Sequence, residues 1–263
     1  GASYKYDEEV PQAYEQISDG KQTTANIVGN QMDSNSIVYN SPSLDFMGAS
    51  ISLDAEFSPN ADGQGSGDGG TTEKVAAYDS TAGHGGNFGK GYGLGATLKY
   101  EGLTAGIYGN ERDNRNAKVA AELSQDSFEG AWYAKYAIGP VSFGYSESHL
   151  DIGSNGVDAA ATAAKTVRVA SGFFEGEQYS VAFNVNDNLS ISYTSSEDTY
   201  DDQSHVKGGT EIEDITMETT AMQIAYSMGA MSIKAYTMET DNPGYDKDAL
   251  DKTVTEIALG LAF

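Results

Sequence analysis

Read with a period of two, the chain resolves into short segments in which alternate positions are apolar and the intervening ones small or polar. In Lys252 to Phe263, Ile257, Leu259, Leu261 and Phe263 fall on one side, and Glu256, Ala258, Gly260 and Ala262 on the other. Such alternation predicts a β-strand whose two faces meet different surroundings. Upstream, Met222, Ile224, Tyr226 and Met228 alternate with Gln223, Ala225 and Ser227. After Gly229 and Ala230 the pattern resumes as Met231, Ile233 and Ala235 against Ser232, Lys234 and Tyr236. A two-residue link between alternating runs predicts a hairpin. Tyr179, Val181, Phe183 and Val185 lead likewise through Asn186-Asp187-Asn188 into Leu189, Ile191 and Tyr193. Trp132, Ala134, Tyr136 and Ile138 lead through Gly139-Pro140 into Val141, Phe143 and Tyr145. Tyr92, Leu94, Ala96, Leu98 and Tyr100 lead through Glu101-Gly102 into Leu103, Ala105 and Ile107. Ile37 and Tyr39 lead through Pro42 to Met47 into Ala49, Ile51, Leu53, Ala55 and Phe57, which makes eleven predicted strands. No residue at these apolar positions is charged, whereas the opposite face carries Asp54, Glu56, Lys99, Lys135 and Lys234 among Ser, Thr and Gly.

The hairpins are joined by long polar segments: Ser58 to Lys90, Asn110 to Asp126, His149 to Phe174, Ser195 to Asp214, and Thr240 to Asp251. Short turns at one end and long loops at the other predict an all-β, transmembrane, antiparallel up-and-down β-barrel of the outer-membrane type. Composition narrows the classes further. No apolar run approaches the roughly 18 to 20 residues that a spanning helix needs, and 31 Gly and 17 Tyr against five Pro suit strands and tight turns. The absence of Cys removes disulfides, thiol catalysis and thiolate metal sites. With 39 acidic against 15 basic residues the net charge is −24, which repels nucleic acid. The competing fold is a soluble β-sandwich, and the chain would then be an acidic extracellular adhesion or surface-layer protein. Against it, a polar face of Ser, Gly, Ala and Thr suits a crowded or water-filled lumen.

The stretch Asn35-Ser36-Ile37-Val38-Tyr39-Asn40-Ser41-Pro42, followed by Phe46 and the run Gly48 to Phe57, resembles the Gram-negative general porin family. So does the C-terminal row Ile257, Leu259, Leu261 and Phe263. The resemblance implies a sixteen-stranded barrel in the bacterial outer membrane, assembled as a homotrimer, acting as a passive diffusion channel. It implies outer-membrane lipid, lipopolysaccharide and the barrel assembly machinery as partners, the last reading the terminal row as its assembly signal. It also makes Ile37 the start of the sixth strand, so that five strands would precede Gly1 and residues 1–263 would be a single barrel domain incomplete at its N-terminus. Gly1 to Tyr6 would be the tail of the fifth strand. The rival count takes Gly1 to Tyr6 as a whole strand and closes a twelve-stranded barrel, although six residues are short against the roughly 9 to 11 of a spanning strand. Residues 7–34 then take the place of the family's inward-folded constriction loop, and residues 35–263 supply the eleven strands.

Within that loop Val10, Ala13, Tyr14 and Ile17 fall at i, i+3, i+4 and i+7 with Pro11 near the start, which predicts a short amphipathic helix. Its apolar stripe would pin the loop to the inner wall. Asp7, Glu8, Glu9, Glu15 and Asp19 would line the pore constriction as an acidic ring that selects cations. Asp54, Glu56, Lys99, Lys135 and Lys234 would form the pore wall, with the lysines opposing the loop. A solvated surface helix with acidic caps is the alternative. Val38 stands where porins of this type often carry a basic residue, which leaves the acidic side less opposed. Other groupings imitate chemistry. His149 beside Ser148 and Asp151 is the nearest approach to a catalytic set, and His84 and His205 stand alone, so no enzymatic activity is expected. Asp62, Gln64, Ser66, Gly67 and Glu73 partly imitate a calcium loop but lack flanking helices. Gly91, Gly93 and Ala96 mimic a dinucleotide fingerprint inside a strand. The expectation is a cation-preferring channel for small hydrophilic solutes, with no cofactor, no metal and no nucleic-acid partner.

Overall fold

The computed structural model describes residues 2, 5–6, 9–15, 17, 36–61, 88–114, 126–151, 172–202 and 213–262. Their strands are β1 (Ile37–Asn40), β2 (Leu44–Phe46), β3 (Ala49–Ser58), β4 (Phe88–Tyr100), β5 (Leu103–Asn114) and β6 (Ser127–Ile138). They continue with β7 (Val141–Asp151), β8 (Gly172–Asn186), β9 (Leu189–Asp202), β10 (Ile215–Met228), β11 (Met231–Asp241) and β12 (Lys252–Leu261). All lie in one antiparallel sheet in which neighbours in sequence are neighbours in space, from β3 through β12. Strands β1 and β12 form its two edges and do not pair with each other.

Each of the eleven predicted strands is present, and β2 is additional. It lies beside the same edge of β3 as β1, with Ile37 opposite Phe57 but Leu44 opposite Ile51. The register therefore slips by one residue between them, as at a β-bulge. The slip falls at Pro42, which has no N–H to offer a ladder, while the Ser41 hydroxyl accepts from Leu53 N at 2.8 Å. At the short-turn end, Glu101 and Gly102 both have positive φ (42° and 87°), the geometry of a type I′ hairpin. A Cβ at Gly102 would also stand 2.7 Å from the Ala137 carbonyl oxygen.

The alternation along the strands separates two faces of unlike character. Every apolar position named above and described in the structure points to one side, where Leu94 is 70% exposed, Ile107 61% and Ile257 73%. The other side holds Ser, Thr, Gln, Asn and charged residues together with buried Tyr108, Tyr133, Tyr236 and Met238, and there Asp54 and Glu56 are each 4% exposed and Glu129 is fully buried. This inverts the arrangement of a water-soluble sheet, in which the apolar face is covered. No second sheet packs on the apolar face among the described residues. The strands also run further than their apolar patterns. Asn110 to Asn114 and Ser195 to Asp202 belong to strands although both stretches were expected to be loop, and β10 begins at Ile215, ahead of the apolar pattern that starts at Met222. Beyond the exposed apolar band, alternation loses its contrast while the backbone ladder continues.

Candidate functional site

The polar face is crossed by the N-terminal segment, which lies on it from β3 to β12. At the β3 end the Ala2 backbone N–H donates to Glu56 at 2.8 Å, Lys5 pairs with Asp54 at 2.7 Å, and the Tyr6 hydroxyl donates to Asp54 at 2.6 Å. Midway, Glu9 forms an ion pair with Lys135 of β6. Pro11 lies over Gly144 of β7, and its carbonyl accepts from Ser180 of β8. Further on, Ala13 N donates to Ser192 of β9 at 2.9 Å. Tyr14 N donates to the Gln223 side-chain oxygen of β10 at 2.8 Å, and the Gln223 amide returns a bond to the Glu15 carbonyl at 2.6 Å. Finally the Tyr14 hydroxyl donates to Glu256 of β12 at 3.0 Å, and Ile17 is buried with Ala221, Tyr236 and Met238.

No α-helix forms there among the described residues: 9–15 are extended or bent, and 3₁₀ geometry occurs only at Lys5 and Ile17. The helical spacing of Val10, Ala13, Tyr14 and Ile17 is overruled because the backbone groups of Pro11, Ala13, Tyr14 and Glu15 find partners on the wall instead of within the segment. An extended path reaches four successive strands, which a helix rising about 1.5 Å per residue would not.

The wall is shaped to receive this segment. Tyr6 stacks on Tyr108 with ring centroids 5.2 Å apart and tilts toward Tyr133 at 6.4 Å. These rings fit because β4 and β5 are bare beneath them. A Cβ at Gly95 would stand 2.5 Å from the Tyr6 hydroxyl oxygen, and one at Gly93 2.6 Å from that of Tyr108, while Gly106 underlies Tyr133. Gly93, one of the glycines that imitate a nucleotide fingerprint, thus makes room for Tyr108. Gly95→Ala should cost about 1–3 kcal/mol by overpacking, visible as a lower urea midpoint, with less effect in a Tyr6→Ala background.

The residues expected to matter are placed as follows. Of the acidic set, Glu9 and Glu15 sit on the crossing segment, whereas Asp7, Glu8 and Asp19 lie outside the described residues. Asp54 and Glu56 lie on the polar face but are covered. Asp54 accepts from Lys5, Tyr6 and Asn40, so both carboxylates anchor the segment rather than line an open passage. Lys135 pairs with Glu9 of the crossing segment. Lys234 lies over the Tyr14 ring at 5.3 Å instead, and Lys99 is exposed between Ser50 and Thr104 with no ion pair among the described residues. Val38 faces inward near Glu56. Ile257, Leu259 and Leu261 are exposed on the apolar side, and Phe263 lies outside the described residues. Ser148 points to the polar face while its neighbours His149 and Asp151 point away, so these three do not converge. His149 lies 3.5 Å from Glu175. The calcium-like loop, His84 and His205 lie outside the described residues.

Sequence patterning missed a second inward fold. The segment after β11 bends at Asn242, Gly244 and Tyr245, all with positive φ. Tyr245 enters a buried cluster with Leu150, Phe174, Tyr200, Ile215 and Met217. Its hydroxyl donates to Asp198 at 2.6 Å, and Asn242 donates to the Thr216 carbonyl at 2.9 Å. A lone Tyr between Gly244 and Asp246 in a polar stretch gives no periodic signal. Tyr245→Ala should cost roughly 3–5 kcal/mol of local packing and speed hydrogen exchange of residues 242–251.

Both phenols of the crossing segment are held in their neutral form. Burial, then the hydrogen bond to Asp54, raises Tyr6 far above its ordinary range. Burial, then the bond to Glu256, pushes Tyr14 up to about 12. A folded pKa above the unfolded one means that the contribution is complete below about pH 10 and lost as pH rises through the folded value. The Tyr14 contact should therefore loosen between about pH 10 and pH 12, and Tyr14→Phe should remove that part of the alkaline transition.

No protein-family model matches the chain, and no curated protein is significantly similar to it.

Proposed function

We propose that the chain forms the wall of an outer-membrane channel of the β-barrel type, through which small hydrophilic solutes and ions diffuse passively. One observation carries this reading: the alternating apolar row of the strands stands largely exposed, while the opposite face, which holds buried polar residues together with clusters of tyrosine and methionine, is crossed by the N-terminal segment. Hydrocarbon is the surrounding that rewards such a face, and strands satisfy it only when their backbone groups are paired. On this reading the edges β1 and β12 belong to a closed barrel, the sixteen-stranded trimeric porin being the closest pattern. The crossing segment is its constriction, and the mechanism is sieving with electrostatic bias.

A net charge of −24 favours cations at the mouth. At the segment, however, Lys135 neutralises Glu9 and Lys5 neutralises Asp54. Lys135→Gln should therefore raise the cation-to-anion permeability ratio, roughly twofold for one charge unmasked in a narrow aqueous passage. The test is the reversal potential of the purified protein in a planar bilayer under a KCl gradient. Cation preference that grows in the variant is expected. Anion preference, or no channel activity from folded protein, would refute the proposal.

A further inference from the structure

The exposed apolar face carries a groove where β4, β5 and β6 meet. Its floor is bare because Gly109 and Gly130 are direct cross-strand partners, and the Phe128 ring leans over both. On one side of that ring lies a depression of about 600 Å³ walled by Tyr92, Leu94 and Ile107. On the other lies one of about 530 Å³ that ends against Trp132, Glu147 and Glu177. Each is within the size range of small-ligand sites.

The loop-side end of the groove has a distinct chemistry. Trp132 and Tyr145 pack with centroids 5.4 Å apart. The Trp132 indole N–H donates to Glu147 at 2.9 Å, and the Tyr145 hydroxyl lies 2.6 Å from Glu147 and 2.8 Å from Glu177. Glu147 opposes Glu177, Glu177 opposes Glu197, and Glu197 opposes Glu218 in register. Like charges directly opposite on neighbouring strands repel, and among the described residues no lysine or arginine pairs with these four. Two aromatic rings beside paired carboxylates form the setting that holds an alkylammonium group. The groove below them is mainly apolar, with Glu111 at its far end and His149 and Glu175 along its side.

The geometry points to this groove as a binding site for a lipid whose headgroup is an alkylammonium without a neighbouring anion. Its chain would lie over Gly109 and Gly130 and its head between Trp132, Tyr145, Glu147 and Glu177. The inference rests on the reading of this face as lipid-facing, and not on channel activity. Charge complementarity selects the occupant: an anionic headgroup would meet a row of carboxylates, and a neutral one would leave their repulsion in place.

Trp132 is the only tryptophan of the chain, so its emission reports on this site alone. The test is a titration of dodecyltrimethylammonium chloride into the purified protein in maltoside micelles, with dodecyldimethylamine oxide at neutral pH as the uncharged match in chain length. Tetramethylammonium chloride serves as the head without a tail. A saturable change in emission is expected with the first alone, with half-saturation rising roughly tenfold or more in the double variant Glu147→Gln, Glu177→Gln. These positions are exposed, and removing like charges does not endanger the fold. An equal response to the amine oxide, an unchanged half-saturation in the double variant, or no saturable response in native protein would overturn the proposal. A protein that fails here yet still conducts ions refutes the groove alone. One that binds the ammonium amphiphile but never conducts leaves the groove standing and refutes the channel.

Discussion

In the channel proposed above, replacing Tyr6 with Ala should release the N-terminal segment from the wall and raise single-channel conductance, with noisier open-state current. Tyr6 is fully buried, stacks on Tyr108 and donates to the buried Asp54. Removing a buried ring of this size costs about 3–5 kcal/mol, against about 1 kcal/mol for each neutral hydrogen bond that holds residues 11–15 further along. The remaining contacts with Ser180, Ser192 and Gln223 are separate, so the β3 end should detach first and become a site of protease cleavage. Tyr6→Phe keeps the ring and loses only the donor to Asp54. Its effect should be smaller, about 1–3 kcal/mol. Native conductance in Tyr6→Ala, with the segment shown to be cleavable, would mean that the segment does not narrow the passage.

The second large effect is on the opposite face. Leu94→Arg and Ile257→Arg should each destabilise the protein in lipid by about 2–4 kcal/mol if they lie near the middle of the bilayer. Both should lower the yield of folded protein in membranes. At sites 70% and 73% exposed to water the same changes would be nearly neutral, within about 0.5 kcal/mol. The two surroundings thus predict results differing several-fold in size. Ser227→Arg, at an exposed position of the polar face, should be tolerated in either case. Folding titrations in urea with liposomes measure all three.

These expectations depend on how much of the molecule its sequence discloses. The parity of the eleven predicted strands was legible, because a side-chain period of two survives wherever one face is consistently apolar. Strand β2 was not: three residues after Pro42 are too few to show a period, and they pair only through a one-residue slip. Strand ends such as Ser195 to Asp202 were hidden where both faces turn polar. For the N-terminal segment the family resemblance implied an inward-folded loop and the spacing a helix, whereas the described residues lie across the polar face without an α-helix. Its backbone partners Ser180, Ser192 and Gln223 lie far along the chain, and contacts at that separation override the local preference for a helix. Asp54 and Glu56 were recognisable as inward-facing, yet only the placement of Ala2, Lys5 and Tyr6 turns them from lining charges into anchors. The row from Glu147 to Glu218 needs the registers of four strands at once, and no single segment displays it.

The central claim, that the apolar face meets lipid and the polar face meets water, can be measured strand by strand. The chain contains no Cys, so single cysteines can be introduced without background. Leu94, Ala96 and Leu98 of β4 and Ile224 and Tyr226 of β10 point to the apolar side, whereas Thr97 and Lys99 of β4 and Ala225 and Ser227 of β10 point to the polar side. In protein reconstituted into liposomes, a charged, membrane-impermeant thiol reagent should modify the second set and spare the first, with reactivity alternating residue by residue. Rapid modification of Leu94→Cys, Leu98→Cys and Ile224→Cys in the reconstituted protein would contradict the account.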